Sequence, residues 1–212
     1  SEIIEFNAAR FIEENANLKI HNNYTLVDEE YHGPINERIL SEVFVKSEWY
    51  VWARVYKKKL LEGESFNENI THHEDAEFLP RIYLTAKSIS RITSQLIYYR
   101  LTQNSITTKP KISSIKDLTL VCELYYENIN GPNDKYYKAA MINCLWGLKR
   151  LILDKGEFSF IKKSRILYYC HIARNSSQLF NMLSWKKRLF IYLPRTYIFL
   201  NSLKYKLSKR GA

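Results

Sequence analysis

His72-His73-Glu74-Asp75-Ala76-Glu77-Phe78 opens the stretch that decides the fold, because it starts a helix that a strand follows directly. After His73, residues Phe78, Ile82, Tyr83 and Ala86 recur at helical spacing and define an inner face. Glu74, Asp75 and Glu77 crowd the helix start, where the positive end of the dipole favours carboxylates. From Ile89 to Leu101 the pattern becomes that of a strand ending in Tyr98-Tyr99-Arg100, and a polar loop follows over Thr102 to Thr108.

Upstream, Ile3 to Ile12 mixes β-branched, aromatic and polar residues as a strand does. Asn15 to Asn23 suits a turn or hairpin, and Tyr24 to Val27 a short second strand closed by Asp28 and the Gly33-Pro34 breaker. Ile35, Ile39, Leu40, Val43 and Phe44 mark an amphipathic helix reaching about Lys46. Trp49 to Tyr56 reads as an aromatic strand running into Lys57-Lys58-Lys59, a solvated end, and Glu62 to Asn69 as a polar loop. Downstream of Ser113 every periodic segment is helical: Ile115 to Tyr125, Tyr136 to Leu153, Phe160 to Ile172, and a basic stretch from Trp185 to Lys209 around Pro194. The expectation is an α/β protein, with strands and helices mixed over residues 1–108 and a helical extension over 109–212.

Charge divides the chain at the same place. Residues 1–108 hold 12 Lys/Arg against 16 Asp/Glu, a net of −4, whereas residues 109–212 hold 20 against 6, a net of +14. A basic half with interleaved aromatic residues suits anionic lipid, nucleic acid or acidic substrates. The three cysteines, Cys122, Cys144 and Cys170, are odd in number and lack a Cys-x-x-Cys pair, which favours buried thiols in a reducing compartment over a disulfide framework or zinc site. Ser1 to Phe6 is not a signal peptide, and no apolar run reaches the ~20 residues that span a membrane.

Five segments succeed one another in close order: Trp52-x-Arg54-x-Tyr56-Lys57-Lys58-x-Leu60-Leu61, Phe66-Asn67-Glu68-Asn69-Ile70, His73-Glu74-Asp75-x-x-Phe78, Tyr98-Tyr99-Arg100 and Asn104-Ser105-Ile106-Thr107. Together they resemble the acceptor-side half of bacterial family-2, GT-A type glycosyltransferases, and the resemblance covers roughly residues 1–108. It implies a partial, Rossmann-like GT-A domain with a mixed sheet, in which Asp75 is the general base that deprotonates an acceptor hydroxyl, with Glu74 beside it positioning the acceptor or orienting the loop. The residue-level alternative is that Asp75 caps the helix. Trp52 and Arg54, on alternate positions of one strand, would face the acceptor and diphosphate together. The resemblance places Arg100 and Ser105 beside the donor diphosphate, where a guanidinium offsets charge on the leaving group. His72 and His73, adjacent on an extended segment, point opposite ways and do not share a metal.

The family's nucleotide-binding half, with its Asp-x-Asp metal motif, has no counterpart in these residues, so that motif is expected upstream of Ser1 and no metal ligand is assigned in this chain. The complete enzyme would use Mg or Mn, a nucleotide-sugar donor and a glycan or lipid-linked acceptor in bacterial surface-polysaccharide synthesis. Lys186-Lys187-Arg188 beside Trp185 add an expected contact with an anionic membrane surface, at the inner face of the cell membrane from the cytoplasm. The competing class is a non-catalytic remnant or a binding module whose basic helices contact membrane or nucleic acid. The acidic first half and the lack of a nucleic-acid motif argue against the nucleic-acid form of it.

Overall fold

A computed structural model describes residues 1–14, 17–102, 112–163, 165–174 and 177–210. Strand β1 (Ile3–Glu14) is the spine of a mixed sheet. It pairs antiparallel with β2 (Asn17–Tyr24), antiparallel with the short β4 (Arg54–Tyr56), and parallel with β5 (Ser88–Arg100). The edge strand β3 (Tyr31–Pro34) runs antiparallel to β5, which gives the order β2-β1-β5-β3. Gly33-Pro34, expected as a breaker, ends this edge strand, where a residue without an N–H is tolerated.

Three expectations shift. The helix expected over Phe160 to Ile172 is two, Phe160–Lys163 and Ile166–Ala173, with Arg165 before the second in the left-handed region at φ 51°. The second strand covers the polar stretch before Tyr24, and Leu26 and Val27 form a buried loop instead. Asn7 holds that loop: its amide donates to the Val27 carbonyl at 2.9 Å and accepts from the Val27 N–H at 2.8 Å. The aromatic segment 49–56 is mostly not a strand, since Val51–Ala53 is a 3-10 turn and only Arg54–Tyr56 joins the sheet.

Helix α1 (Glu37–Lys46) starts at Asn36, whose side chain accepts from the Ile39 N–H. Helix α2 (Glu74–Thr85) precedes β5 as the periodicity predicts, but contains Pro80. Beyond β5 come α3 (Ile112–Glu127), α4 (Asp134–Lys155), α5 (Phe160–Lys163), α6 (Ile166–Ala173), α7 (Ser177–Phe180), α8 (Trp185–Tyr192) and α9 (Pro194–Arg210). Gly156, left-handed at φ 69°, ends α4 and donates to the Ile152 and Leu153 carbonyls. The three cysteines are buried and unbridged in α3, α4 and α6.

One hydrophobic core runs across position 109. It joins Ile3, Ile39, Phe44, Leu79 and Ile82 of the sheet region to Ile115, Val121, Met141 and Leu145 of α3 and α4. A smaller cluster, Phe6, Leu26, Val27 and Ala53, lies apart from this core. No helix among the described residues is long and apolar enough to cross a membrane.

Candidate functional site

Two contacts from α3 pin the flanks of the α2 start. Asp117 accepts from the His72 backbone N–H at 2.9 Å and lies 3.1 Å from the His72 ring Nδ1, with both residues buried. Further along α3, the hydroxyl of Tyr125 donates to the carbonyl of Ala76. In an unbroken helix that carbonyl would accept from residue 80, and Pro80 has no N–H to offer. Tyr125 therefore replaces the missing helical bond, and α3 fixes both sides of Glu74 and Asp75.

His73 takes the cap position in the left-handed region at φ 69°, where histidine is among the tolerated residues, without a side-chain capping bond. Asp75 is thus the second helical residue, not the cap. It is half-buried. Burial first, then the like charge of Glu74, raises its pKa from 3.8 to about 7, while the Ala76 N–H and the Arg54 charge oppose the rise. The dipole was expected to keep this carboxylate ionised; desolvation outweighs it. Near neutrality the carboxyl exists in both protonation states, which suits a group that takes up and releases one proton. Burial raises the phenol pKa of Tyr50, Tyr56 and Tyr125, and the Asp75 charge adds to the rise in all three.

Arg54 is enclosed by its own chain, its side chain only 2% exposed. Its Nε donates to the Tyr83 hydroxyl at 2.6 Å, Nη1 to the Tyr50 carbonyl at 2.7 Å, and Nη2 to Glu5 Oε1 at 2.7 Å and the Glu48 carbonyl at 2.9 Å. Arg91 holds the other Glu5 oxygen at 3.0 Å and reaches Glu42 at 2.6 Å. Burial works against the Arg54 charge, but Tyr83 and Glu5 outweigh it and its pKa is raised. Arg54 acts on Asp75 through its field and by holding the 48–50 backbone, and has no free face for direct substrate contact.

Trp52 does not share a face with Arg54, because the 3-10 turn breaks the strand alternation. It stacks on Tyr50 (centroids 5.3 Å apart) and Tyr99 (5.0 Å), meets Tyr24 edge-on at 5.3 Å, and packs against the smaller cluster around Phe6. Arg10 lies 4.0 Å over the Tyr24 ring. Tyr50, Trp52, Tyr24 and Tyr99 form a half-buried aromatic surface that shares Tyr50 with the surroundings of Asp75. Arg100 is exposed, 5.8 Å over the Phe11 ring, and pairs opposite Phe11 in the sheet. Glu5 pairs opposite Arg91, six residues earlier on β1; that is about 20 Å of strand. Ser105 lies outside the described residues.

Sequence reasoning missed Glu5, Arg91, Tyr83, Asp117 and Tyr125. A signal existed for the first two: single opposite charges inside the apolar strands Ile4-Glu5-Phe6 and Ser90-Arg91-Ile92, which a buried sheet tolerates only as a pair. Among the described residues, no group of three or more His, Cys, Asp or Glu is placed to hold a metal ion. Compared with protein-family models and with curated proteins, the sequence matches none.

Proposed function

We propose that this chain carries the acceptor-activating side of an inverting glycosyltransferase of the family-2, GT-A type, acting in bacterial surface-polysaccharide synthesis at the cytoplasmic face of the membrane. The observation that carries the reading is Asp75: a half-buried carboxyl on the first turn of α2, raised to about 7, in a helix start that α3 holds at His72 and Ala76. It joins the motif succession on which the family resemblance rests.

In the reaction the acceptor hydroxyl oxygen attacks the anomeric carbon of a nucleotide sugar, and the hydroxyl proton passes to Asp75. The bond from the anomeric carbon to the diphosphate oxygen breaks, and its electron pair leaves on the nucleoside diphosphate. The charge of Glu74 adds to the rise that burial causes at Asp75, and the family resemblance gives Glu74 the positioning of the acceptor. The half-buried aromatic cluster of Tyr24, Tyr50, Trp52 and Tyr99 is the apolar surface for a sugar ring, with Trp52 at its centre. Arg100 and Ser105 enter from the family resemblance alone, at the donor diphosphate. A divalent metal there would offset the diphosphate charge; among the described residues no group of three or more His, Cys, Asp or Glu is placed to hold one.

The test is a transfer assay of the protein that carries this chain, with nucleotide-sugar donors and glycan or lipid-linked acceptors. Asp75→Asn lowers turnover by roughly 10²–10⁴ and leaves acceptor KM nearly unchanged. Trp52→Ala raises acceptor KM instead. Turnover retained by Asp75→Asn removes Asp75 from this role.

A further inference from the structure

The last acidic residue of the sequence is Glu157; residues 158–212 contain 12 Lys/Arg and no Asp or Glu. Two helices of this segment, α8 and α9, each bury apolar side chains and expose others. Phe190 and Ile191 of α8 are fully buried and Ile198 of α9 is 7% exposed. On the outward side stand Trp185, Leu189, Tyr192, Leu193, Phe199 and Leu200, each exposed by 41–63%. Within α8 Trp185, Leu189 and Tyr192 recur at helical spacing, as do Phe199 and Leu203 within α9. The two helices meet at Leu193 (φ −126°, ψ 56°), whose N–H donates to the Leu189 carbonyl and whose own carbonyl accepts from the Tyr197 N–H, both at 2.9 Å.

The helices are held firmly from behind. Lys149 of α4 points its ammonium at the Trp146 ring, 3.5 Å from the centroid, and at Tyr197 at 4.9 Å. Arg174 caps the end of α8 by donating to the Ile191 and Tyr192 carbonyls at 2.9 and 2.6 Å. Lys187 bonds Asn143 inside the fold, which leaves Lys186 and Arg195 as exposed cations next to the stripe. An apolar stripe on a rigid helix pair, set in a segment without a single carboxylate, matches neither an ordinary solvated face nor a nucleic-acid groove. Phosphates would be met by a cationic surface, not by leucines.

We propose that α8 and α9 are an interfacial docking surface for an anionic lipid bilayer, lying in its headgroup layer with Trp185, Leu189 and Phe199 inserted and the lysines and arginines against lipid phosphates. The proposal is independent of glycosyl transfer: it stands on the charge of the segment and the exposed stripe, and uses no residue of the Asp75 site.

Co-sedimentation of the full chain with extruded vesicles tests it. The chain pellets with phosphatidylcholine vesicles containing about a third phosphatidylglycerol and stays in solution with phosphatidylcholine alone, and added salt weakens the association. Trp185→Ser with Phe199→Ser lowers the partition coefficient by at least roughly tenfold, and Lys186→Gln with Arg195→Gln by a similar factor. Both pairs are exposed, so an unchanged thermal midpoint shows that the variants fold. Equal pelleting with both vesicle types, undiminished binding by the Trp185/Phe199 variant, or tight salt-dependent binding to single-stranded RNA without vesicle association overturns it. Self-association through the stripe that excludes vesicles does so too.

Discussion

Two regions within the same core handle buried charge in opposite ways. Around Arg54, the cations Arg54 and Arg91 meet the carboxylates of Glu5 and Glu42 at 2.6–3.0 Å. At the start of α2, Asp75 is half-buried beside another carboxylate and burial pushes its pKa up to about 7. Pairing, not depth, separates them. A fully paired charge is fixed in one protonation state and serves as structure, whereas an under-compensated one stays poised and is available for chemistry.

The largest effect expected from breaking this contrast is on turnover, where Asp75→Asn costs the 10²–10⁴ given above. Next is Arg54→Met, which leaves buried Glu5 with Arg91 and Tyr83 alone and takes the donor from the Glu48 and Tyr50 carbonyls, and it destabilises the fold by about 3–5 kcal/mol in chemical denaturation. Adding Glu5→Gln to Arg54→Met recovers part of that loss. If the double variant is no more stable than Arg54→Met, the pair is not what holds the charge.

Tyr125→Phe comes third. It leaves the Ala76 carbonyl without a donor opposite Pro80 and costs about 1–3 kcal/mol. In a Pro80→Ala background the helix supplies its own N–H, so the same substitution costs distinctly less. Equal costs in the two backgrounds would show that Tyr125 does not stand in for the missing helical bond.

The smallest effect is a pH dependence of stability, and it sharpens the contrast most. The ordinary carboxyl value of 3.8 rises to about 7 in the fold, so between these values the folded chain holds a proton that the unfolded chain has released. The contribution of Asp75 is therefore complete below about 3.8 and is lost as pH rises through 7. Asp75→Asn removes this loss, and at pH 8 it stabilises by about 1–2 kcal/mol after allowance for solvent screening. Near pH 4 the gain vanishes. Thermal melts across the range check it, and a gain that grows toward low pH would reverse the assignment. The same group makes kcat/KM rise with pH through about 7.

Much of the frame was legible without coordinates. The periodicity around Phe78, Ile82 and Tyr83 located α2, the β-branched runs at Ile3 and Ile89 located β1 and β5, and helical spacing after Ser113 located the remaining helices. Each is a local signal, repeating every two or 3.6 residues. The 49–56 segment misled because its aromatic content favours a strand. The Arg54 guanidinium bonds the Glu48 and Tyr50 carbonyls where the 3-10 turn forms. Similarly, Trp52 and Arg54 are two residues apart yet enter different clusters.

By itself, then, the sequence determined the succession of elements, the candidate carboxyl at Asp75 and the split into an acidic and a basic half, because these follow from the order of residue types along the chain. Only the tertiary structure decided how that carboxyl behaves. Its pKa is raised first by burial, which packing supplies, and then by the adjacent Glu74, and the rise is opposed by the charge of Arg54, which the fold brings from a separate strand. Likewise, basic residues among apolar ones could be read directly at 185–210, but only the packing of Phe190, Ile191 and Ile198 onto α4 and its neighbours selected which apolar side chains remain facing out.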